Sequence, residues 1–246
     1  MNKIKQPSPS ERLIEIVKPY LEEKGFVYKK STKDFIRKFS LGRQRFSLCF
    51  DGRGGLTSVD CGFFIYFDEL NKLYEKIFET KTGDWSFQIG ANLLRFEKIF
   101  ERYIGFLYDD KFANMTLKEK SQYSSYEVHP QHKIQQGADF IIKAFDVYAE
   151  THFNKIDNYE TLYDALIHIV RVRNKQIPSA TPFLNLNISC IEDKLVYNTL
   201  ILALSLGKET FEIDQYADDI FSRYKVGVDK IKQNIEKIYA YDKTEN

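Results

Sequence analysis

The side chains able to do chemistry are scattered along the chain, and their spacing limits what each group can do. Acid-x-lysine triplets occur at Glu79-Thr80-Lys81, Asp109-Asp110-Lys111 and Glu192-Asp193-Lys194. Such a pair, joined by a second carboxylate such as Asp51 or Asp60, could hold Mg²⁺ and activate water for hydrolysis. The residue two after Asp60 is Gly62, however, so the pattern breaks on the strand where it would be needed. The three triplets fall at a helix end, in a loop and at a helix start, outside the context the chemistry requires. His129 and His132 lie close in sequence, with His152 and His168 further on, and neither HExxH nor CxxC accompanies them. Structural or surface histidine is the better reading. Asp164, His168, Arg171 and Lys175 recur at helical spacing. They could form an acid–base pair opening on an anion site, or simply a solvated face of mixed charge. Gly52-Arg53-Gly54-Gly55 could cradle a phosphate, but it lacks the Lys-Ser/Thr of a P-loop, and a hairpin turn accounts for it. There is no GxSxG, and neither Cys49 nor Cys190 neighbours a histidine. No catalytic residue, metal ligand or cofactor is assigned.

The best-patterned stretch is residues 43–67. With period two, Phe46, Leu48 and Phe50 share one face, as do Val59, Cys61, Phe63, Ile65 and Phe67 on the next strand. Both apolar rows must lie on one side of the sheet, which fixes the parity of pairing. A loop at residues 52–55 pairs Asp51 with Leu56, Leu48 with Val59 and Phe46 with Cys61. Cys49 then faces away from Cys61, so no disulfide joins them. The opposite face carries Arg43, Arg45, Ser47, Cys49, Phe64 and Tyr66. A two-residue Leu41-Gly42 turn would pair Ser40 with Arg43 and Lys38 with Arg45. Lys38, Arg43, Arg45, Phe64 and Tyr66 would then cluster as a binding face, basic and aromatic, suited to single-stranded nucleic acid or another anionic ligand. The alternative is a solvated face with its aromatics covered by the helical half of the chain.

The elements that position these residues follow from periodicity. Ser8-Pro9-Ser10-Glu11 starts a helix through a capping box, with Pro19 expected to kink or break it and Gly25 to end it. Residues 34–40 read as a strand, then come the hairpin, a helix from about Asp68 to Glu79, a strand around Trp85–Ala91 and a helix from Leu94 to Tyr103. Residues 108–133 are polar and weakly patterned. Beyond them the pattern is helical throughout, with Asp157/Glu160 and Ser189/Glu192 as capping pairs and Gly207 as a helix end. The expected fold is α+β: an antiparallel meander with helices in the order α-β-β-β-α-β-α, followed by an all-helical C-terminal half. The expected division is a sheet domain over 1–110, a linker over 111–133, and a helical domain or layer over 134–246.

The 246 residues suffice for a substantial core, and the net charge of +1 gives no global field toward nucleic acid or membrane. Three cysteines, an odd number, argue for a reducing compartment rather than a disulfide framework. No apolar run follows the N-terminal charges as in a secretory leader, and none is long enough to span a bilayer. The expectation is a soluble cytoplasmic protein. Richness in Lys, Asn, Ile, Tyr and Phe points to an AT-rich, bacterial genome.

Leu13, Val17, Pro19, Gly25, Phe26, Lys29, Phe35 and Arg37 make the opening resemble certain uncharacterised bacterial families of the domain-of-unknown-function class. In these a helix ending in Gly-Phe leads into antiparallel strands. The resemblance covers the first half and implies an α+β fold without an activity. The element order α-β-β-β-α-β also resembles the core of the restriction-endonuclease-like nucleases, whose acidic-x-Lys pair is broken here at Gly62. The leading expectation is a non-enzymatic macromolecular interaction module with another protein as partner. The alternative is a nucleic-acid-binding or degenerate nuclease-like protein using the basic face. A second alternative is an enzyme whose site is assembled only in three dimensions.

Overall fold

A computed structural model describes residues 7–53, 56–81, 88–92, 126–128, 133–176, 190–223 and 228–245. Contacts divide the chain into two compact units, Met1–Tyr66 with Ile89–Lys155, and Phe67–Gln88 with Ile156–Asn246. The helices beyond residue 134 are thus shared between them. The fold is α+β: an antiparallel meander with helices, and a helical C-terminal half.

The first unit opens with α1, Pro9–Glu23, where the Ser8 hydroxyl accepts from the Glu11 N–H and the Glu11 carboxylate accepts from the Ser8 N–H at 2.7 Å. The helix runs on through Pro19 without the expected break. Pro19 is exposed, so the carbonyl it leaves unbonded can turn to water. The end is a Schellman arrangement: Gly25 at φ 83° donates to Glu22 O, and Phe26 donates to Leu21 O at 3.0 Å. Then follow β1 (Val27–Lys29), β2 (Asp34–Phe39), β3 (Gly42–Arg53) and β4 (Leu56–Phe67), neighbours in that order. On the far side of β4 are β5 (Gln88–Asn92) and β6 (Tyr126–Val128). The short strands β1 and β6 carry no period that a sequence reading could detect, since three residues cannot show alternation.

The register between β2 and β3 corrects the expected one. Phe39 pairs with Gly42, Lys38 with Arg43, and Ile36 with Arg45, so the two-residue turn is Ser40-Leu41 rather than Leu41-Gly42. The shift is by two residues and leaves every side chain on its expected face. Gly42 in the last strand position lets the chain turn one step earlier than the Leu-Gly pair suggested. The apolar rows are buried on one side: Phe46, Val59, Cys61, Phe63 and Ile65 are fully inaccessible. Cys49 is exposed and Cys61 buried, both as free thiols. The tip of the β3–β4 hairpin, 54–55, lies outside the described residues.

The inner face packs on α1 and on a helix running from α3 (Ile134–Ala144) through a π-helical turn (Phe145–Ala149) into α4 (Glu150–Lys155). Phe145 sits at its centre, 5.4 Å from Phe26 and 5.3 Å from Phe46, both edge-on, a favoured aromatic geometry. The π-turn inserts one residue into the stripe Ile134, Ala138, Ile141, Phe145, Tyr148, and Phe145 and Tyr148 both remain buried.

The second unit contains α2 (Asp68–Phe78), α5 (Tyr159–Gln176), α6 (Cys190–Ser205), α7 (Phe211–Arg223) and α8 (Val228–Glu245). Helix α6 is central: Val196, Leu200, Ile201, Leu202 and Ala203 are all buried, so its described side chains show no polar face. It ends in a second Schellman arrangement at Gly207, φ 63°. Helix α5 is capped one residue later than expected. Asn158, not Asp157, accepts from Thr161 N–H at 2.9 Å, and Thr161 Oγ1 accepts from Asn158 N–H. Asp157 instead accepts from the Asn158 side chain. No helix among the described residues is long and apolar enough to cross a membrane.

Candidate ligand-binding face of the sheet

The central strand β3 places alternate polar residues on opposite faces, and the two sets have different surroundings. Gln44 points inward and is buried. Its amide N–H donates to the Phe153 carbonyl at 3.2 Å, and its carbonyl accepts from Arg37 Nε at 2.7 Å. Arg37 also donates to the Lys24 carbonyl at 2.9 Å and lies over the Phe26 ring, 4.6 Å from its centroid. Burial lowers the Arg37 pKa, with Glu150 opposing the shift. This pair ties the end of α1 and helix α4 to the sheet, and its donors terminate on protein oxygens.

Arg43 and Arg45 point outward. The Arg45 guanidinium lies 4.8 Å from the Phe64 ring and 5.2 Å from the Tyr66 ring, and that of Arg43 lies 5.7 Å from Tyr66. Two guanidinium groups therefore converge on one aromatic ladder. Lys38, exposed, sits directly across from Arg43. The structure thus brings Lys38, Arg43, Arg45, Phe64 and Tyr66 onto one face. Arg45 and Phe64 are half-buried and the Tyr66 ring is covered, so what faces outward is the guanidinium layer rather than the bare phenol ring.

A residue the sequence reading overlooked completes the arrangement. Asp34 lies on the same face, with its Oδ1 accepting from Ser47 Oγ at 2.6 Å and its Oδ2 3.9 Å from Arg45. The ion pair is too long for a hydrogen bond. The signal was present, since Asp34, Ile36 and Lys38 share a parity, but attention to the basic residues hid the acid among them. Asp60 lies on this face too, half-buried, with Gly62 two positions on.

Other candidates separate. His152 is buried in the first unit, 5.0 Å from Phe63, and His168 is on α5 in the second. His129, His132 and the Asp109-Asp110-Lys111 triplet lie outside the described residues, as do the side chains of Lys175 and of Glu192-Asp193-Lys194. Glu79, Thr80 and Lys81 are exposed beyond the end of α2. On α5, Arg171 is engaged by Glu212 through two hydrogen bonds of 2.6 and 2.7 Å, so the line from Asp164 does not open on an anion site at that position. Among the described residues, no group of three or more His, Cys, Asp or Glu side chains could hold a metal.

The chain matches no protein-family model, no curated protein and no solved structure.

Proposed function

We propose that the protein is a non-catalytic binding module that takes single-stranded nucleic acid on the outer face of its sheet. The observation that carries this reading is the convergence of Arg43 and Arg45 on Phe64 and Tyr66 beside Lys38. Cations supply phosphate contacts, and a guanidinium held flat on an aromatic ring offers a surface for stacking a base. Three cations on one strand pair give a local field that the overall charge of +1 does not.

The test is fluorescence anisotropy with a labelled oligothymidylate between about 50 and 200 mM salt. Single-strand binding weakens with salt at a logarithmic slope of about 0.7 per neutralised phosphate. Replacing Arg43 and Arg45 together by Gln is expected to lower the slope by roughly 1.4 and the low-salt affinity by more than tenfold. Absence of wild-type binding at the lowest salt would overturn the proposal.

A further inference from the structure

We infer that this face is divided into a phosphate subsite and a base subsite, with Asp34 setting the division. The inference rests on the nucleic-acid reading above and adds a polarity to it. Lys38 and Arg43 pair across β2 and β3 next to the Ser40-Leu41 turn, and Lys38 is exposed. Two residues further from the turn, Arg45 pairs with Ile36, lies over Phe64, and stands 3.9 Å from the Asp34 carboxylate. Two residues of strand span about 7 Å, a separation within the reach of one nucleotide.

The two positions differ in what they tolerate. A phosphate brought to Arg45 meets Asp34, whose carboxylate is buried and held by the Ser47 hydroxyl at 2.6 Å. Like charges at that range, shielded from water, repel. A neutral base incurs no such repulsion. It can stack on the Arg45 guanidinium, which Phe64 backs, while Asp34 and the ring keep that guanidinium flat on the face. The phosphate of the same nucleotide then falls on Lys38 and Arg43. Asp34 is in this sense a positioning residue: it disfavours bare polyanions at Arg45 and leaves the site to a base.

The experiment compares three probes on the same protein: oligothymidylate, an abasic strand of equal length, and inorganic polyphosphate. Wild type is expected to bind oligothymidylate at least roughly threefold more tightly than the abasic strand, a fraction of what full base stacking yields. Phe64→Leu should abolish that preference and leave abasic binding unchanged. Lys38→Gln with Arg43→Gln should weaken both strands by the same factor and lower both salt slopes by about 1.4. Asp34→Asn should tighten polyphosphate and the abasic strand by roughly three- to tenfold and oligothymidylate less. If Asp34→Asn does not fold, as judged by circular dichroism, the other two variants decide the matter alone. Equal weakening of both strands by Phe64→Leu would overturn the division, as would an Asp34→Asn protein that folds and binds all three probes as wild type does. Failure of wild type to bind any strand would overturn the nucleic-acid reading itself, a different result from either.

Discussion

Replacing Arg37 by Met tests whether the inward polar pair holds the first unit together. The methionine keeps most of the side-chain length and its packing on Phe26, 4.6 Å from the guanidinium carbon, but removes the donors to Gln44 Oε1 at 2.7 Å and to the Lys24 carbonyl at 2.9 Å. Each acceptor left without a donor costs about 1–3 kcal/mol when buried. Gln44 is nearly inaccessible and pays most of this, whereas the half-buried Lys24 position recovers part of the loss from water. The expected destabilisation is about 2–4 kcal/mol. With about 1.4 kcal/mol per factor of ten, amide exchange across β2 and β3 should accelerate by roughly 30- to 700-fold. Hydrogen exchange read by mass spectrometry on peptides covering 34–50 reports this unit without requiring the whole chain to unfold in one step. Lys38→Met is the control: it removes a cation one residue away on the opposite face and should leave exchange nearly unchanged. An Arg37→Met protein whose strands exchange within about threefold of wild type would refute the assignment of Arg37 as a structural clamp, because under about 0.7 kcal/mol would then separate the two.

Other perturbations give graded outcomes. Arg171→Ala breaks a pair with Glu212 whose hydrogen bonds, at 2.6 and 2.7 Å, are as short as those of Arg37, but both side chains are about half exposed. Urea denaturation should therefore show a loss of no more than about 1 kcal/mol, and a larger loss would contradict the role of solvent screening. The Tyr239 phenol donates to Asp214, and burial first, then that carboxylate, pushes its pKa up to about 12. The sign follows from the raised value: the stabilisation is intact below the ordinary phenol pKa of about 10 and disappears as pH climbs from there to about 12. Difference phenolate spectra of wild type against Tyr239→Phe should show one tyrosine titrating at the upper end, and a midpoint near 10 would refute it. Finally, burial and Asp60 push the Cys61 thiol pKa up while Cys49 is exposed. In a Cys190→Ser background, a thiol reagent should modify Cys49 rapidly and Cys61 only on unfolding. Equal native rates would place Cys61 outside the core.

What could be read in the sequence was what period and local chemistry encode over many residues. The parity of β3 and β4 was legible because five alternating apolar positions in β4 leave no second solution, and the burial of Phe46, Val59, Cys61, Phe63 and Ile65 follows it. The capping box at Ser8 and the ends at Gly25 and Gly207 were legible because left-handed backbone and short polar caps are local requirements. The register of β2 against β3 was missed by two residues, because parity constrains a hairpin only in steps of two and either Ser40-Leu41 or Leu41-Gly42 can turn. The strands β1 and β6 were missed because their existence depends on a partner, not on their own residues. At the outer face, five residues were expected together and are together, whereas Asp34 had to be found in space.

The contrast between the two faces of β3 gives the candidate site its physical distinction. Arg37 and Arg45 are cations of the same type, both near aromatic rings, and sequence alone treats them alike. Arg37 donates to two protein oxygens within 2.9 Å and sits among Phe26, Phe153 and Gln44, an environment that turns its charge to structural use. Arg45 meets its carboxylate only at 3.9 Å, on a face where Lys38 and Arg43 add like charge that structure alone does not require. Repulsion among three cations on adjacent strands costs stability, and pairing with Asp34 offsets it only for one of them. A face that keeps this cost is better explained by an anionic ligand than by folding. Replacing Lys38 and Arg43 by Gln should accordingly stabilise the first unit slightly, by about 0.2–1 kcal/mol in hydrogen exchange, while weakening the ligand. Destabilisation by the same replacement would mean that these cations belong to the fold.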